Sequence, residues 1–405
     1  MHKIDKKQLI NILFIIAVLP FLIPRGVLEL QSLSFRQVLY YMRIVFIIVG
    51  IVYCIIYRIK VSLITYIFTI FYVIELILCI IRGCSTVQAI DDLIYVLGIA
   101  ILMEIALKND LGMFIKSIAI ILSSIIILNL LTLYIYPNGM YVDSRGWTAN
   151  WLLGYYNSHI FVYLPWLLCI LLWIYSKQNK FSILSLGSIG IALFGVYWAG
   201  SKTSMVSLVV ILIISILFIK IIKVRLPNIF YFYIFVVVIS YMIIFLNIQA
   251  QYSDIIQKYL NRDATFTGRT IIWNIALNYF RRHPIWGNGY VYYNLMTWIS
   301  TQSHNAFLNI MVQQGIFGLI YFTIIIICIS KRLNKFRNHP YAKIITLILI
   351  AYFIDFITEM YQLPHLLFLV IFLAYHIKDL VNSMPIESKT GKIKFKLSDK
   401  RMRIG

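Results

Sequence analysis

Three side chains that could bind an anion or move a proton stand at predicted helix starts. They are Lys202 in G-S-K-T-S, Arg269 in T-G-R-T and His304 in S-H-N. A helix start presents free N–H groups and the positive end of the helix dipole, so it favours anions. The same field disfavours a protonated imidazole and leaves a neutral histidine able to accept a proton. Together the three predict a clamp for a diphosphate beside one general base.

Each member alone also has an ordinary structural explanation. Arg269 and Lys202 could snorkel to lipid phosphates, and His304 could merely cap its helix. Asp355 and Glu359 are four residues apart, which puts them on one helix face within an apolar segment, where acids are candidates for function. Either acid could pair with Arg269 or Lys202, or could act as the base in place of His304. The sequence leaves these alternatives open.

A further set of polar side chains is predicted to contact the substrate. Tryptophans and tyrosines between residues 147 and 156 suit sugar stacking, although an aromatic belt at a membrane interface has the same composition. Cations in the extracytoplasmic loop at 248–304 run against the positive-inside bias, and an anionic ligand is the simplest reason for them. The predicted substrate-binding residues are Arg145, Asn157, His159, Arg281, Arg282 and Asn305.

The composition excludes a soluble globular protein. Of the 405 residues, 61% are hydrophobic and only 13% are charged, against about a quarter charged in soluble domains. The net charge of +21 sits in loops between apolar runs and in the C-terminal tail, which argues for topology signals rather than nucleic acid binding. The five cysteines are scattered without metal-ligand spacing, so no metal site or cofactor is predicted.

The fold class predicted is an all-α polytopic membrane protein. Apolar runs of about 18 residues or more are long enough to cross a bilayer as helices. Most Lys and Arg residues fall on one side of the resulting topology, which places both termini in the cytoplasm. The twelve predicted spans are 9–24, 38–57, 61–82, 90–107, 112–136, 158–176, 181–199, 203–222, 229–247, 306–330, 341–361 and 363–380.

The chain is expected to form one membrane domain over residues 1–380, followed by a basic cytoplasmic tail at 381–405. A large loop at 248–304, between the ninth and tenth spans, falls outside the cytoplasm. Within it, residues 267–279 have an apolar face at helical spacing, formed by Ile271, Ile272, Ile275, Ala276 and Tyr279. This pattern predicts an amphipathic helix on the membrane surface, with Arg269 in its first turn.

Three motifs resemble those of the O-antigen ligase and O-antigen or capsular polysaccharide polymerase superfamily. They are G-R-x-x-x-W (Gly268, Arg269, Trp273), H-P-I-W-G-N-G-Y, and H-N-A-F-L-N followed by G-I-F-G. The resemblance implies a GT-C-like architecture and an inverting, metal-independent glycosyltransferase. It also implies an undecaprenyl-diphosphate-linked donor, and matches Arg269 and His304 to the family's essential arginine and histidine. Lys202 stands where the ligases tend to have arginine, which keeps the charge but loses the bidentate fork.

We therefore expect a polysaccharide polymerase of the cytoplasmic membrane, with its active site on the outer face. It would join lipid-linked repeat units for an O-antigen, capsule or exopolysaccharide, alongside membrane lipids and, as candidate partners, a chain-length regulator and a repeat-unit flippase. The first alternative is a ligase that transfers finished glycan to another lipid or to a protein. The second is a transporter or flippase, which is disfavoured because few ionisable residues lie within the predicted spans.

Overall fold

A computed structural model describes residues 6–143, 146–220, 225–248, 269–291, 293–294, 299–300, 302–360 and 363–386. The described chain is almost entirely helical, as predicted, with two short antiparallel hairpins. The helices are α1 Lys6–Leu22, α2 Arg25–Leu30, α3 Leu33–Ile56, α4 Leu63–Arg82, α5 Thr86–Asn109, α6 Leu111–Ile135, α7 Ile160–Gln178, α8 Ile183–Ala199, α9 Lys202–Lys220, α10 Ile229–Ile244, α11 Arg269–Arg282, α12 Ala306–Lys335, α13 Pro340–Phe356, α14 Pro364–Tyr375 and α15 Ile377–Ser383.

The hairpins interrupt the helices at two places. Strands β1 Asn150–Trp151 and β2 Gly154–Tyr155 pair ahead of α7, and β3 Tyr293–Asn294 and β4 Ile299–Ser300 pair ahead of α12. A 3₁₀ turn, Tyr156–Ser158, joins β2 to α7.

Eleven of the twelve predicted spans each overlap one helix, and the twelfth, 363–380, covers α14 and part of α15. Among the described residues, five helical segments are long and apolar enough to cross a membrane, or six if the pair α14 and α15, bent by 80°, counts as one. The protein is therefore a multi-pass, all-α membrane protein. The five segments are Leu33–Ile56, Leu63–Arg82, Leu111–Ile135, Tyr156–Gln178 and Ala306–Lys335.

Local sequence explains why so many helices follow one another with little chain between them. Asp110 alone separates α5 from α6, and its side chain accepts the Met113 N–H at 2.8 Å, which caps α6. Gly83 and Gly200 end α4 and α8 with positive φ angles, a conformation that costs glycine little. Such short connections make neighbouring helices antiparallel. The starts of α7, α9 and α12 lie at one end of the bundle, because Asn157 bonds to Ser201 and to Glu359, and His304 lies against the same Glu359.

The core surrounds α13 and α14. Nearly every residue of both helices is buried, whereas α3 exposes large apolar side chains such as Val49 (57%) and Ile55 (70%). Apolar side chains exposed along a membrane helix face lipid rather than water. Packing continues past residue 380, because Met384 and Ile386 join the same core. Residues 381–386, predicted as part of the tail, thus pack on the bundle, and residues 387–405 lie outside the described chain.

Helix α11 is the predicted amphipathic helix, although its buried face differs. Ile272, Trp273, Ala276 and Leu277 are buried, but Ile271 is 56% exposed. The buried face packs against α12. The apolar stripe predicted to rest on the membrane therefore serves largely to hold α11 against the bundle. Thr267 and Gly268, predicted to begin this helix, lie outside the described residues.

Helix α12 is broken at Gly315, whose φ of 68° and ψ of −165° are not helical. A break leaves backbone donors and acceptors without helical partners. The segment H-P-I-W-G-N-G-Y supplies them: Asn288 and Gly289 donate N–H groups to the carbonyls of residues 312 and 313 at 2.8 and 2.9 Å. In return, the N–H groups of residues 316 and 317 donate to the carbonyls of residues 284 and 285 at 2.8 and 3.3 Å. The two family-like motifs therefore form one backbone-bonded unit.

Candidate active site

Glu359 lies at the centre of the candidate site, in the connection between α13 and α14. Its carboxylate is 1% exposed and accepts from three different parts of the chain. Oε1 accepts from Arg269 Nη2 at 2.5 Å and from Asn157 Nδ2 at 2.8 Å, while Oε2 lies 3.2 Å from His304 Nδ1. The starts of α7, α11 and α12 therefore meet at one buried carboxylate.

Glu359 is placed by the end of α13. The helix ends at Phe356, but the N–H groups of Thr358 and Glu359 still bond to the carbonyl of Asp355, at 3.1 and 2.8 Å. The two acids predicted to share a helix face are thus one turn apart, with Glu359 beyond the helix end. Asp355 is fully buried and does not contact Arg269 or His304 in this arrangement.

Arg269 and His304 differ from Glu359 in their access to solvent. Their side chains are 17% and 21% exposed, against 2% for Glu359. Glu359 therefore contacts the buried side of the Arg269 guanidinium and of the His304 imidazole, and both side chains stay partly exposed. An arginine has five N–H donors, so the bond from Nη2 leaves further donors for an anion.

His304 is not the cap of α12. The cap is Asn305, whose Oδ1 accepts the Leu308 N–H at 2.9 Å. His304 precedes it with a φ of 51°, a left-handed conformation that is uncommon for non-glycine residues and costs conformational energy. That conformation places the imidazole against Glu359. The explanation of His304 as a simple cap is therefore wrong.

A chain of short polar contacts connects Glu359 to α9. Asn157 Oδ1 accepts from Ser201 Oγ at 2.9 Å, and Ser201 and Ser204 hydroxyls lie 2.8 Å apart. Ser204 Oγ then donates to Asp355 Oδ1 at 3.2 Å. The start of α9 is thereby fixed beside the site, and Lys202, its first residue, is exposed there. The hydroxyl groups of the S-K-T-S segment therefore flank Lys202 and also fix the position of α9.

The electrostatics of the site favour an ionised Glu359. Burial acts to raise the pKa of this carboxyl, but the nearby Arg269 charge and His304 outweigh it, so the pKa lies below its ordinary value. The three converging helix starts add positive dipole ends in the same direction. A charged Glu359 accepts the Nδ1–H of His304, and in a neutral imidazole that tautomer makes Nε2 the proton acceptor.

Residues 187–323 match the family model described as O-antigen ligase. The chain resembles O-antigen ligases over this segment. The matched region runs from α8 into α12 and contains Lys202, Arg269 and His304, so the resemblance predicted from the motifs is confirmed. A search of curated proteins found no match.

The O-antigen ligase match does not reach every part of the site. Asn157 and Glu359 lie on either side of residues 187–323, yet both bond directly within the site. The family-like segment thus provides the cations and the imidazole, whereas a turn and a connection outside it provide Asn157 and the buried carboxylate of Glu359. Ser201 and Ser204 are not among the predicted site residues. The Arg269–Glu359 pair is one of the alternatives that the sequence leaves open, and the structure contains it; the signal for Glu359 is its position as an acid in an apolar segment.

The remaining predicted substrate-binding residues have structural bonds, lie far from Arg269, or fall outside the described chain. Asn305 uses both side-chain ends structurally, because its Nδ2 also donates to the Ile357 carbonyl at 2.9 Å. His159 is fully buried, and its Nε2 lies 3.1 Å from the Gly154 carbonyl, so the ring holds the β1–β2 hairpin. Arg281 and Arg282 are exposed at the far end of α11, about 18 Å from Arg269 by helix rise. Arg145 lies outside the described residues.

Proposed function

We propose that this protein is a polysaccharide polymerase that transfers a growing glycan from a polyprenyl diphosphate carrier onto the next lipid-linked repeat unit. The observation that carries the proposal is the Glu359–His304 contact. It orients the imidazole through Nδ1, in a side chain that is 21% exposed. That is the geometry in which a carboxylate fixes the tautomer of a histidine base.

In the proposed reaction, an acceptor sugar hydroxyl attacks the anomeric carbon of the donor glycan. The new carbon–oxygen bond forms as the bond from that carbon to the diphosphate oxygen breaks. The hydroxyl proton passes to Nε2 of His304, and the polyprenyl diphosphate leaves as an anion. Because attack and departure occur on opposite faces of one carbon, the anomeric configuration is inverted. No metal ion is required for these steps.

Arg269 and Lys202 are proposed to bind the departing diphosphate. Arg269 is held by Glu359 through one nitrogen and has other donors left, and Lys202 is exposed at the start of α9. Charge that develops on a leaving group is stabilised most by donors already held in place. Two cations beside a helix start supply that arrangement.

The proposed setting is the cytoplasmic membrane, with both termini in the cytoplasm and the site on the outer face. Twelve spans follow from the lengths of the apolar runs, and the positive-inside pattern places the loop at 248–304 on the outer side. The helices found at all twelve predicted positions support this topology. Undecaprenyl diphosphate is the carrier that the family resemblance favours.

The decisive experiment supplies the purified protein in liposomes with a single synthetic lipid-linked repeat unit. A polymerase produces a ladder of glycan lengths from this substrate alone. We expect Arg269→Ala and His304→Gln to lower the rate of ladder formation by ~10²-fold or more, because each removes a group that acts in the transition state.

The matched control for His304 is His339→Asn, at the start of α13 on the opposite end of the bundle. His339 also precedes a helix and accepts the Tyr341 N–H at 3.2 Å, and asparagine can keep that cap. The control variant should elongate glycan at the normal rate. A full-rate ladder from both Arg269→Ala and His304→Gln would remove the catalytic assignment. Transfer only to a second acceptor lipid would show a ligase, and movement of uncut substrate across the bilayer would show a transporter.

A further inference from the structure

A cavity of about 600 Å³ lies away from Glu359, between α1, α2, α3, α5 and the start of α14. Its volume is in the range of small-molecule sites, about 300–1,000 Å³. Three arginines and three carboxylic acids line it together with three tyrosines. It is therefore a polar, charge-balanced cavity inside an apolar bundle.

Arg43 is the most unusual residue of this cavity. It is 5% exposed although it lies on α3, whose other side chains largely face outward. Its Nε donates to the Pro20 carbonyl at 2.9 Å, and its guanidinium carbon lies 4.2 Å from the centre of the Tyr95 ring. Among the described residues its Nη2 has no hydrogen-bond partner. A buried N–H group that lacks an acceptor is costly, so a ligand that accepts from Nη2 would be stabilised.

His365 provides a second unused group on the same cavity wall. Its ring stacks on Tyr95 with centroids 4.6 Å apart, and it is 3% exposed. Within the described chain its Nδ1 also has no hydrogen-bond partner. Tyr95 thus holds Arg43 and His365 together, and presents two buried polar groups to the cavity.

The charge balance indicates what kind of ligand would fit. Two of the arginines, Arg25 and Arg36, share one carboxylate, since each lies 3.7 Å from Glu29, and the three acids of the lining equal its three arginines in number. Asp92 accepts from Gln88 at 3.1 Å and from Tyr290 at 3.3 Å. A site of paired charges and aromatic rings is poorly suited to a diphosphate. Mixed donors and acceptors beside aromatic faces suit the hydroxyl groups and apolar ring faces of a sugar.

The cavity and the candidate active site are at the same end of the bundle. Ser158 lines the cavity, and the preceding Asn157 bonds to Glu359. Helix α2 is tied to the intervening hairpin, since the Gly26 N–H donates to the Leu152 carbonyl at 2.9 Å. The α14 start that carries His365 follows Glu359 in the chain by a few residues. A chain of sugars could therefore extend from one to the other.

We propose that this cavity is a binding site for an uncharged oligosaccharide, held by Arg43 and His365, that seats the glycan whose reacting end lies at His304. The assignment rests on the proposed function, because it adds a glycan subsite to that reaction. Val87 lines the cavity and is 69% exposed, so a larger residue there would fill the cavity from a position that bears little packing.

The test measures binding without turnover. The probe is the oligosaccharide released by mild acid from the lipid-linked glycan pool of cells that make this protein, titrated into the purified full chain by calorimetry. We expect Val87→Trp and Arg43→Met to weaken binding by about tenfold or more, because one fills the cavity and the other removes a charged donor. Arg332→Met is the matched control, since Arg332 lies 4.1 Å over the Tyr375 ring on another part of the bundle.

The control should bind the probe as the wild type does, and excess inorganic pyrophosphate should leave binding unchanged. Wild-type affinity in both cavity variants would overturn the proposal. So would complete competition by pyrophosphate, or no binding to the wild-type chain at millimolar probe. Arg269→Ala should keep the affinity for the probe while losing elongation. If that variant still elongates glycan, the catalytic assignment fails while the binding result remains valid.

Discussion

Two buried glutamates, Glu359 and Glu104, have different roles in the same bundle. Each is 1% exposed. Glu104 accepts the Ser62 N–H at 2.9 Å and the hydroxyls of Ser62 and Thr65 at 2.5 and 2.6 Å. All three donors are neutral and belong to the first turn of α4. Glu104 therefore closes a helix start from a neighbouring helix.

Glu359 has instead a cation and an imidazole as partners, both open to solvent on their other side. Its bonds join segments far apart in the chain, since Asn157 and Glu359 are 202 positions apart. Burial alone thus does not separate a functional acid from a structural one. The partners of the carboxylate distinguish the two roles. Neutral, buried donors indicate a structural acid, whereas partly exposed, ionisable partners indicate a functional one.

The largest expected effect comes from Glu359→Gln. The amide keeps the shape but presents an N–H group towards His304, so Nδ1 must accept and Nε2 must carry the proton. A histidine in that tautomer cannot act as the base. We expect the elongation rate at saturating substrate to fall by ~10²-fold or more, with little change in KM. Initial rates over a range of lipid-linked repeat concentrations measure both constants.

Glu104→Gln is the matched control for this substitution. Its amide oxygen can still accept from the α4 donors, and none of them takes part in the proposed reaction. Its rate should stay within about threefold of the wild type. An equal loss of rate in Glu359→Gln and Glu104→Gln would contradict the distinction between a functional and a structural glutamate.

Glu104→Ala is expected to lower stability and leave the reaction rate unchanged, which is the reverse of the effect expected for Glu359→Gln. Glu104→Ala leaves one backbone N–H and two hydroxyls without their acceptor at a buried helix start. We expect a loss of roughly 2–4 kcal/mol in the free energy of unfolding, since each unsatisfied donor adds its cost. Thermal unfolding in detergent gives the stability, and the rate per folded molecule should be unchanged. A specific loss of rate in the folded fraction would show that Glu104 also influences the active site.

The sequence was sufficient to predict the all-α fold, the positions of most helices, and the helix starts at which Lys202 and Arg269 lie. Apolar run length and charge placement gave helices at all twelve predicted positions. Lys202 and Arg269 do begin their helices, and His304 lies just ahead of α12. These features depend on residues close together in the chain, where helical spacing and capping act.

Features that depend on distant residues were not accessible in the same way. The side of α11 that is buried follows from contact with α12, so Ile271 faces outward despite its apolar character. The Gly315 break is stable because a remote loop satisfies its backbone groups. Arg43 and His365 are brought together by the Tyr95 ring between them. No local pattern encodes which remote segment will supply such a partner.

The smallest expected effect is the dependence of stability on pH. The folded pKa of Glu359 lies below the ordinary value of 4.5 because Arg269 and His304 outweigh the effect of burial. A depressed carboxyl pKa stabilises the fold above the unfolded pKa, and this stability is lost as the pH falls through the folded pKa. The melting temperature of the wild type should therefore exceed that of Glu359→Gln between pH 7 and about 5. The gap should then narrow as the pH falls below about 4.5, when protonation gives Glu359 the neutral state that the variant already has. Thermal scans at stepped pH measure the gap. A constant gap down to well below pH 4 would be compatible only with a still lower pKa, whereas a gap that closes above pH 5 would contradict the ion pair and its proposed part in holding His304.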